Sequence, residues 1–122
     1  MDNSEDLRLL SLETLLEYEK NNSKAGELIN AVLEKYAFLP KSNRAFYARL
    51  TEGTIEKQIQ LDYIIDCYSK MPAKRMKPVI RNIIRMSVYQ IKYMRSVPDR
   101  AALSEALRLA QKKGFKNLKG FI

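Results

Sequence analysis

The sequence predicts an all-α fold, and three observations support this class. Apolar residues recur at helical spacing, as Leu9, Leu12 and Leu16 do near the start of the chain. The sequence shows neither a sustained alternation of period two nor an Asn-Gly hairpin signal. Its 122 residues are 46% hydrophobic and 30% charged, which is ordinary for a globular protein. We therefore expect one domain, residues 1–122, of about six or seven helices.

Three helices are predicted in the first half of the chain, the first of them over about residues 6–20. Asn21-Asn22-Ser23 is typical of a turn and an N-cap, and the second helix follows from Lys24. This helix should stop before Pro40, because a residue that precedes proline avoids helical backbone. Ser42 or Asn43 is the candidate N-cap of the third helix.

Gly53 interrupts the third helical pattern. Glycine in a helix interior costs about 1 kcal/mol relative to alanine, so Gly53 should mark a close helix crossing or a break. The apolar face then continues toward Lys70, and Met71-Pro72 predicts the next stop. Cys67 lies in this segment and is expected to be a packing residue.

The most apolar stretch of the chain follows Pro78. Apolar residues there cover more than one helical face up to Met94, which is typical of a central, buried helix. Ser96-Val97-Pro98-Asp99 predicts a capping box for the next helix, which should end at Gly114. A further helical pattern begins in residues 115–122, so we expect the last helix to be truncated.

The formal net charge of +8 is concentrated in the second half of the chain. Residues 1–60 hold 8 Lys and Arg against 10 Asp and Glu, a net −2, whereas residues 61–122 hold 14 against 4, a net +10. A strongly basic half predicts an anionic partner, such as a phosphate backbone or an anionic surface.

Several function classes are excluded by composition. The chain has no His and one Cys, which removes His-based acid–base chemistry, His-paired nucleophiles and nearly every zinc site. Its four glycines are scattered and form no phosphate-binding loop. The sequence contains no membrane-length apolar run, and its acidic N-terminus is unlike a signal peptide. We expect a cytoplasmic, non-catalytic polypeptide that binds no metal and no cofactor of its own.

Three stretches resemble the NusB-like domain, an all-α RNA-binding module. It occurs as the free antitermination factor NusB and at the N-terminus of bacterial rRNA cytosine-5 methyltransferases of the RsmB (Sun) family. The matching segments are Arg44-Ala45-Phe46 with Glu52-Gly53-Thr54-Ile55 and Leu61-Asp62-Tyr63-Ile64-Ile65; Ile83-Ile84-Arg85-Met86-Ser87-Val88-Tyr89-Gln90-Ile91; and Val97-Pro98-Asp99-Arg100-Ala101-Ala102 with Ser104-Glu105-Ala106. Gly120-Phe121-Ile122 is similar to the start of one more family motif.

Two details favour the methyltransferase branch. Gln90 stands where free NusB more often has Glu, and Glu52-Gly53-Thr54 is similar to the G-T-L step of the fused domain. The resemblance implies a fragment that holds small-subunit rRNA for a fused, S-adenosylmethionine-dependent methyltransferase domain, which would be its other partner. Two alternatives stay open: a free antitermination factor, and a protein-interaction domain that docks on the catalytic domain.

Two basic clusters are the candidate RNA-binding surface. Lys77, Arg81 and Arg85 are four residues apart and should form one stripe on a helix. The predicted RNA-binding residues are Lys74, Arg75, Lys77 and Arg81, with Lys70 upstream, and in the second cluster Lys112, Lys113, Lys116 and Lys119.

The residues of the family motifs are expected to be mainly structural. Arg85 lies in an apolar helix and needs a buried partner, for which Asp62, Asp66 and Glu105 are the candidates. Tyr89 and Tyr93 are expected in the core or at its rim, with base stacking as the alternative. The predicted structural residues are Arg44, Gly53, Asp62, Arg85, Gln90 and Glu105.

Overall fold

The computed structural model describes residues 6–114, and this range is almost entirely helical. It contains six α-helices and one 3₁₀ turn, and no strand occurs between residues 6 and 114. The all-α prediction is therefore confirmed. The helices fall into two compact units, the first ending at Glu56 and the second beginning at Lys57.

The first unit consists of α1 (Leu7–Asn21), α2 (Ala25–Lys35) and α3 (Lys41–Glu56). α3 packs against both α1 and α2, and α1 also contacts α2. Apolar side chains at helical spacing fill the space between the three helices, because burying them removes apolar surface from water. The core residues are Leu12, Leu15, Ile29, Tyr47 and Leu50.

α1 is capped at its N-terminus by a side chain. The Asp6 carboxylate accepts a hydrogen bond of 3.1 Å from the Leu9 N–H, and Asn22 ends the helix in the left-handed region at φ 53°. The N-cap of α2 is Lys24, whose side chain makes no capping bond, so the cap predicted at residues 21–23 is wrong.

The predicted stop of α2 before Pro40 is confirmed, whereas the predicted cap of α3 at Ser42 or Asn43 is wrong. α2 ends at Lys35, and the residues before Pro40 form a turn in which the Leu39 N–H bonds to the Tyr36 carbonyl at 3.0 Å. α3 begins at Lys41, so the Ser42 and Asn43 side chains lie inside the helix rather than at its cap.

Gly53 is buried within α3, and the helix continues past it to Glu56. The chain leaves helical geometry only at Lys57, which is the N-cap of α4 (Gln58–Tyr68). The predicted break at Gly53 is therefore wrong, because α3 retains its backbone hydrogen bonds through this position.

The second unit contains α4, a 3₁₀ turn (Ala73–Arg75), α5 (Pro78–Tyr93) and α6 (Asp99–Lys112). α5 packs against both α4 and α6. It buries eight of its residues, more than any other described helix, as its apolar sequence predicts. The small side chains of Ala102, Ala106 and Ala110 are buried on α6, where they permit close packing.

α6 starts without the predicted capping box. Its N-cap is Pro98, which has no side-chain oxygen to accept a hydrogen bond, and Ser96 lies two residues further from the helix. At the other end, Gly114 takes φ +89°, a conformation that favours glycine, and its N–H bonds to the Gln111 carbonyl at 3.0 Å.

One face of α4 is exposed although the sequence assigned it to the core. Leu61 and Ile65 are buried, whereas Ile59 and Tyr63 are 86% and 71% exposed. The exposed pair is two positions out of phase with the buried pair, which places it about 160° around the helix. Cys67 continues the exposed row, so its predicted packing role is wrong.

Candidate functional site

The segment between α4 and α5 presents the densest group of cations in the described chain. We call residues 69–77 the basic loop. It contains four basic residues and no acidic residue. All four basic side chains are exposed: Lys70, Lys74, Arg75 and Lys77.

The front of the basic loop is held to α4 by a carboxylate. Asp66 Oδ1 accepts a hydrogen bond of 2.7 Å from the Ala73 N–H, and Ala73 itself is buried. The Ser69 hydroxyl donates to the Met71 carbonyl at 2.9 Å. The bond to the Asp66 carboxylate is charge-assisted and therefore stronger than a neutral one, and together the two bonds restrict the loop backbone. Sequence reasoning named Asp66 only as a possible partner of Arg85 and missed this role.

The back of the basic loop is held by Arg81. Its Nη1 donates to the Met76 carbonyl at 2.9 Å, and Arg81 is half-buried. Met76 and Ala73 are buried in one apolar cluster with Ile65 and Ile80. The loop is therefore anchored by buried side chains and by hydrogen bonds on both sides, while its lysines and Arg75 point to solvent.

The predicted stripe of Lys77, Arg81 and Arg85 does not form one exposed row. Lys77 is exposed, Arg81 is half-buried and Arg85 is only 5% exposed. Residues four apart on an α-helix are offset by about 40° around the helix axis. Each step of the row therefore lies closer to the packed side of α5.

Arg85 is held in the core of the second unit by Asp62 of α4. Its Nε donates to Asp62 Oδ1 at 2.7 Å and its Nη2 donates to Asp62 Oδ2 at 2.8 Å, a bidentate pair. Its Nη1 also donates to Asn82 Oδ1 at 3.2 Å, and Asn82 Nδ2 donates to the Pro78 carbonyl at 2.9 Å. This network joins α4 to the first two turns of α5.

The other predicted structural residues hold local backbone or neighbouring side chains. Arg44 Nε donates to the Leu39 carbonyl at 3.1 Å, which ties α3 to the turn before it. Buried Gln90 donates to the Met86 carbonyl at 3.0 Å. Glu105 pairs with Arg108 on its own helix at 2.5 Å.

The second basic cluster is described only in part. Lys112 is exposed at the end of α6 and Lys113 is half-buried. Lys116 and Lys119 lie outside the described residues.

Tyr89 and Tyr93 occupy the positions expected for core and rim. Tyr89 is buried, Tyr93 is half-buried, and their ring centroids are 5.1 Å apart. The Tyr93 hydroxyl donates to Gln60 Oε1 at 2.9 Å. The Lys57 Nζ atom lies 5.5 Å from the Tyr93 ring centroid, within cation–π range.

Comparison with protein-family models decides to which family this all-α chain belongs. The model of the NusB family matches residues 5–122. The chain belongs to the NusB family. The match covers both compact units, so the basic loop and the Arg85–Asp62 pair lie within a NusB domain.

Relatives of this NusB domain include two kinds of protein. It is 33% identical over 95% of its length to a probable ribosomal RNA small subunit methyltransferase B of Bacillus subtilis, and 29% identical over 91% to one of Synechocystis. It spans only about a quarter of those two proteins, 26% and 25%. It is also 36% identical, over 69% of its length, to the transcription antitermination protein NusB of Syntrophomonas wolfei, of which it covers 63%.

Residues 6–114 offer neither a membrane-spanning helix nor a metal-binding cluster. None of the helices described there is both long and apolar enough to cross a membrane. Within the same range no group of three or more Cys, Asp or Glu side chains is arranged to hold a metal ion.

Proposed function

We propose that this NusB domain binds RNA through the phosphates that contact the basic loop. The observation that carries the proposal is a short, anchored loop with four exposed cations and no acid. A backbone already fixed by Asp66 and Arg81 loses little conformational entropy when RNA binds. Cations at fixed positions suit phosphate contacts and recognition of RNA shape more than the recognition of individual bases.

The RNA is small-subunit rRNA, and the domain holds it for a cytosine-5 methyltransferase domain of the same cytoplasmic protein. The similarity to two proteins named probable ribosomal RNA small subunit methyltransferase B, over 95% and 91% of this chain, supports this assignment. In this proposal residues 1–122 carry out no chemistry and bind no cofactor, and S-adenosylmethionine is bound by the catalytic domain. Calorimetry of residues 1–122 with S-adenosylmethionine should give no binding heat.

The proposal predicts a steep dependence of RNA affinity on salt. Four phosphate contacts give a slope of log K against log salt of about −3, so raising salt from 50 to 200 mM should weaken binding roughly 50-fold or more. Fluorescence anisotropy of a labelled small-subunit rRNA hairpin measures this. A flat salt response would exclude phosphate binding.

A charge-matched pair of variants assigns the binding to the basic loop. The triple variant Lys74→Ala, Arg75→Ala, Lys77→Ala should weaken binding at least ~10-fold and flatten the salt slope by about 2. The control is Lys20→Ala, Lys24→Ala, Lys41→Ala, which removes the same charge from exposed positions of the first unit. Equal losses in the two variants would show that net charge alone attracts the RNA.

A second candidate function is transcription antitermination by a free factor. The 36% identity to the Syntrophomonas wolfei antitermination protein favours it. Such a factor would join a ribosomal protein on a leader RNA, whereas the NusB domain of a methyltransferase should bind small-subunit rRNA without that protein. Reading the coding sequence after Ile122 also separates the two, since only the first proposal requires a cofactor-binding domain there.

A third candidate is docking of this domain on the catalytic domain. The basic half of the chain would then bind the acidic surface of another protein domain. Adding the catalytic domain in trans should raise the melting temperature of residues 1–122 in that case, because a ligand that binds only the folded state stabilises it. RNA binding alone predicts no such shift.

A further inference from the structure

The last residue of α4 is an exposed tyrosine, and the basic loop follows it directly. Tyr68 is 89% exposed, more than any other large apolar side chain described in residues 6–114. No hydrogen bond or ring contact within that range involves its phenol. Single exposed apolar residues are common on protein surfaces, so the significance of Tyr68 depends on what surrounds it.

The backbone beneath Tyr68 is held in place. The Ser69 N–H donates to the Ile65 carbonyl at 2.8 Å and closes the last turn of α4, and Ile65 itself is buried. The Ser69 hydroxyl then donates to the Met71 carbonyl at 2.9 Å at the start of the basic loop. The ring therefore extends into solvent from a main chain that is fixed on both sides. A group on a fixed backbone loses less conformational entropy when it binds a ligand.

The surroundings of Tyr68 are cationic. Lys70 is exposed and lies two residues further along the chain, so the Cα atoms of these two residues are at most about 7 Å apart. The nearest acidic residue in the sequence is Asp66, whose carboxylate is bonded to the Ala73 N–H. An aromatic ring beside fixed cations is the combination with which proteins bind single-stranded nucleic acid, since bases stack on the ring and phosphates contact the cations.

The other tyrosines of the second unit are less suited to this contact. Tyr89 is buried, and Tyr93 is half-buried with its hydroxyl bonded to Gln60. Tyr63 is 71% exposed, but it lies five residues before Tyr68 on α4. This spacing places it about 140° around the helix and about 7.5 Å further from the basic loop. Tyr63 is therefore a matched control: the same residue type, on the same helix, exposed and away from the loop.

We propose that Tyr68 stacks on an unpaired base of the RNA whose phosphates contact the basic loop. This stacking rests on the proposed RNA-binding function and specifies the kind of RNA. A loop, a bulge or a single-stranded end supplies the base, because bases within a continuous double helix are stacked on their neighbours. Every base has a flat π-face, so stacking tolerates any sequence. The ring therefore adds affinity for unpaired RNA to a site that otherwise binds phosphates.

Substitution of Tyr68 in the full 122-residue chain tests the stacking. Tyr68→Ala should weaken binding of a small-subunit rRNA hairpin with an unpaired loop about 5-fold or more, whereas Tyr68→Phe, which keeps the ring, should stay within about 2-fold of the wild type. Tyr63→Ala is the control and should also stay within about 2-fold. Fluorescence anisotropy measures these affinities. A loss in Tyr68→Ala that is matched by either Tyr63→Ala or Tyr68→Phe would overturn the proposal.

Salt dependence and a paired RNA distinguish the stacking from phosphate binding by the basic loop. Tyr68→Ala removes no charge, so its slope of log K against log salt should remain about −3 while its affinity falls. A blunt duplex should bind the wild type and Tyr68→Ala within about 2-fold, and equal losses for duplex and hairpin would overturn the stacking. A steep slope with unchanged hairpin affinity would overturn the stacking alone, whereas a flat slope in the wild type would overturn phosphate binding as well.

A tryptophan at the same position provides an independent readout. The chain contains no Trp, so Tyr68→Trp introduces its only indole and the fluorescence reports this position alone. Adding the hairpin should quench that fluorescence over the RNA concentrations at which anisotropy rises, because a stacked base lies against the indole. The control Tyr63→Trp should show no such change. Unchanged fluorescence of Tyr68→Trp at saturating RNA would overturn the proposal, as would equal quenching of the two variants.

Discussion

The two units of this NusB domain bury polar groups by different means. The first unit uses neutral hydroxyls: Ser11 and Thr51 share a hydrogen bond of 2.8 Å, and Thr14 and Tyr47 share one of 2.7 Å. The second unit buries neutral side chains as well, but it also buries an ion, Arg85, which is held by Asp62. The net charges follow the same division: residues 1–56 carry 7 cations and 10 acids, a net −3, and residues 57–122 carry 15 and 4, a net +11.

The difference shows where each unit is vulnerable. A buried hydroxyl pair contributes about 1 kcal/mol, and its loss leaves a neutral group behind. A buried guanidinium that loses its carboxylate becomes an unpaired charge, which costs several times more. The second unit therefore contains an ion pair whose disruption should cost more than the loss of either hydroxyl pair in the first unit.

The largest expected effect is that of Asp62→Ala. It leaves Arg85, whose side chain is 6% exposed, without its bidentate partner and should lower the free energy of unfolding by about 3–5 kcal/mol. Urea unfolding followed by circular dichroism measures the loss. Asp99→Ala, at an exposed position of α6, is the control and should cost less than about 1 kcal/mol.

A double variant distinguishes the cost of leaving one ion unpaired from the contribution of the ion pair itself. Asp62→Leu with Arg85→Met removes both ions and should recover most of the stability lost in Asp62→Ala, since apolar residues of similar volume often replace a buried ion pair. If the double variant were as unstable as the single one, packing around Asp62 would explain the loss instead.

A smaller effect is expected in the first unit from Tyr47. Thr14 donates to the Leu10 carbonyl at 2.9 Å, so the Tyr47 hydroxyl must donate to Thr14. Burial raises the pKa of Tyr47 above its usual 10.0. A raised folded-state pKa gives stability that is complete below pH 10 and is lost as pH rises through the folded pKa.

Tyr47→Phe should therefore cost about 1 kcal/mol at pH 7, and this cost should shrink at pH above 10 because only the wild type loses stability there. Unfolding in urea at pH 7 and at successive values above 10 gives the comparison. Tyr63→Phe is the control, since Tyr63 is 71% exposed. A difference between wild type and Tyr47→Phe that stays constant with pH would contradict this account.

The smallest effects come from two glycines with open space around them. A Cβ at Gly26 or Gly114 would meet no atom of residues 6–114 within 4 Å, so the main difference between the two positions is backbone conformation. Gly114→Ala should cost about 1 kcal/mol, because φ +89° disfavours an L side chain. Gly26→Ala should stabilise α2 by about 0.5 kcal/mol. The melting temperature should fall for Gly114→Ala and rise for Gly26→Ala. Shifts of the same sign would contradict the backbone explanation.

Sequence reasoning was most successful where a pattern is local. Apolar spacing placed the helices near their observed positions, and the apolar stretch after Pro78 correctly indicated the most buried helix. The helix ends were poorly predicted, because Ser23, Ser42 and Ser96 each have the right chemistry for a cap yet lie one or more residues away from the N-cap position.

The candidate site was only partly accessible from sequence. The density of cations around Lys74 is a property of the sequence itself and was predicted. Arg81 and Arg85 belong to the same sequence pattern, but Arg81 donates to the Met76 carbonyl and Arg85 donates to the Asp62 carboxylate. The exposed position of Cys67 was missed because an apolar neighbourhood in the sequence does not show which side of α4 is covered.

The sequence by itself determined the helical class, the family and the concentration of positive charge in the second half of the chain. These properties depend on residue type and spacing, which can be read from each segment of the sequence without knowing how the segments pack. Tertiary structure decided which cations are exposed, because the partner of a long side chain comes from another helix or loop. Asp62 lies 23 residues from Arg85, and only the packing of α4 on α5 makes that arginine a core residue while Lys77 stays in solvent.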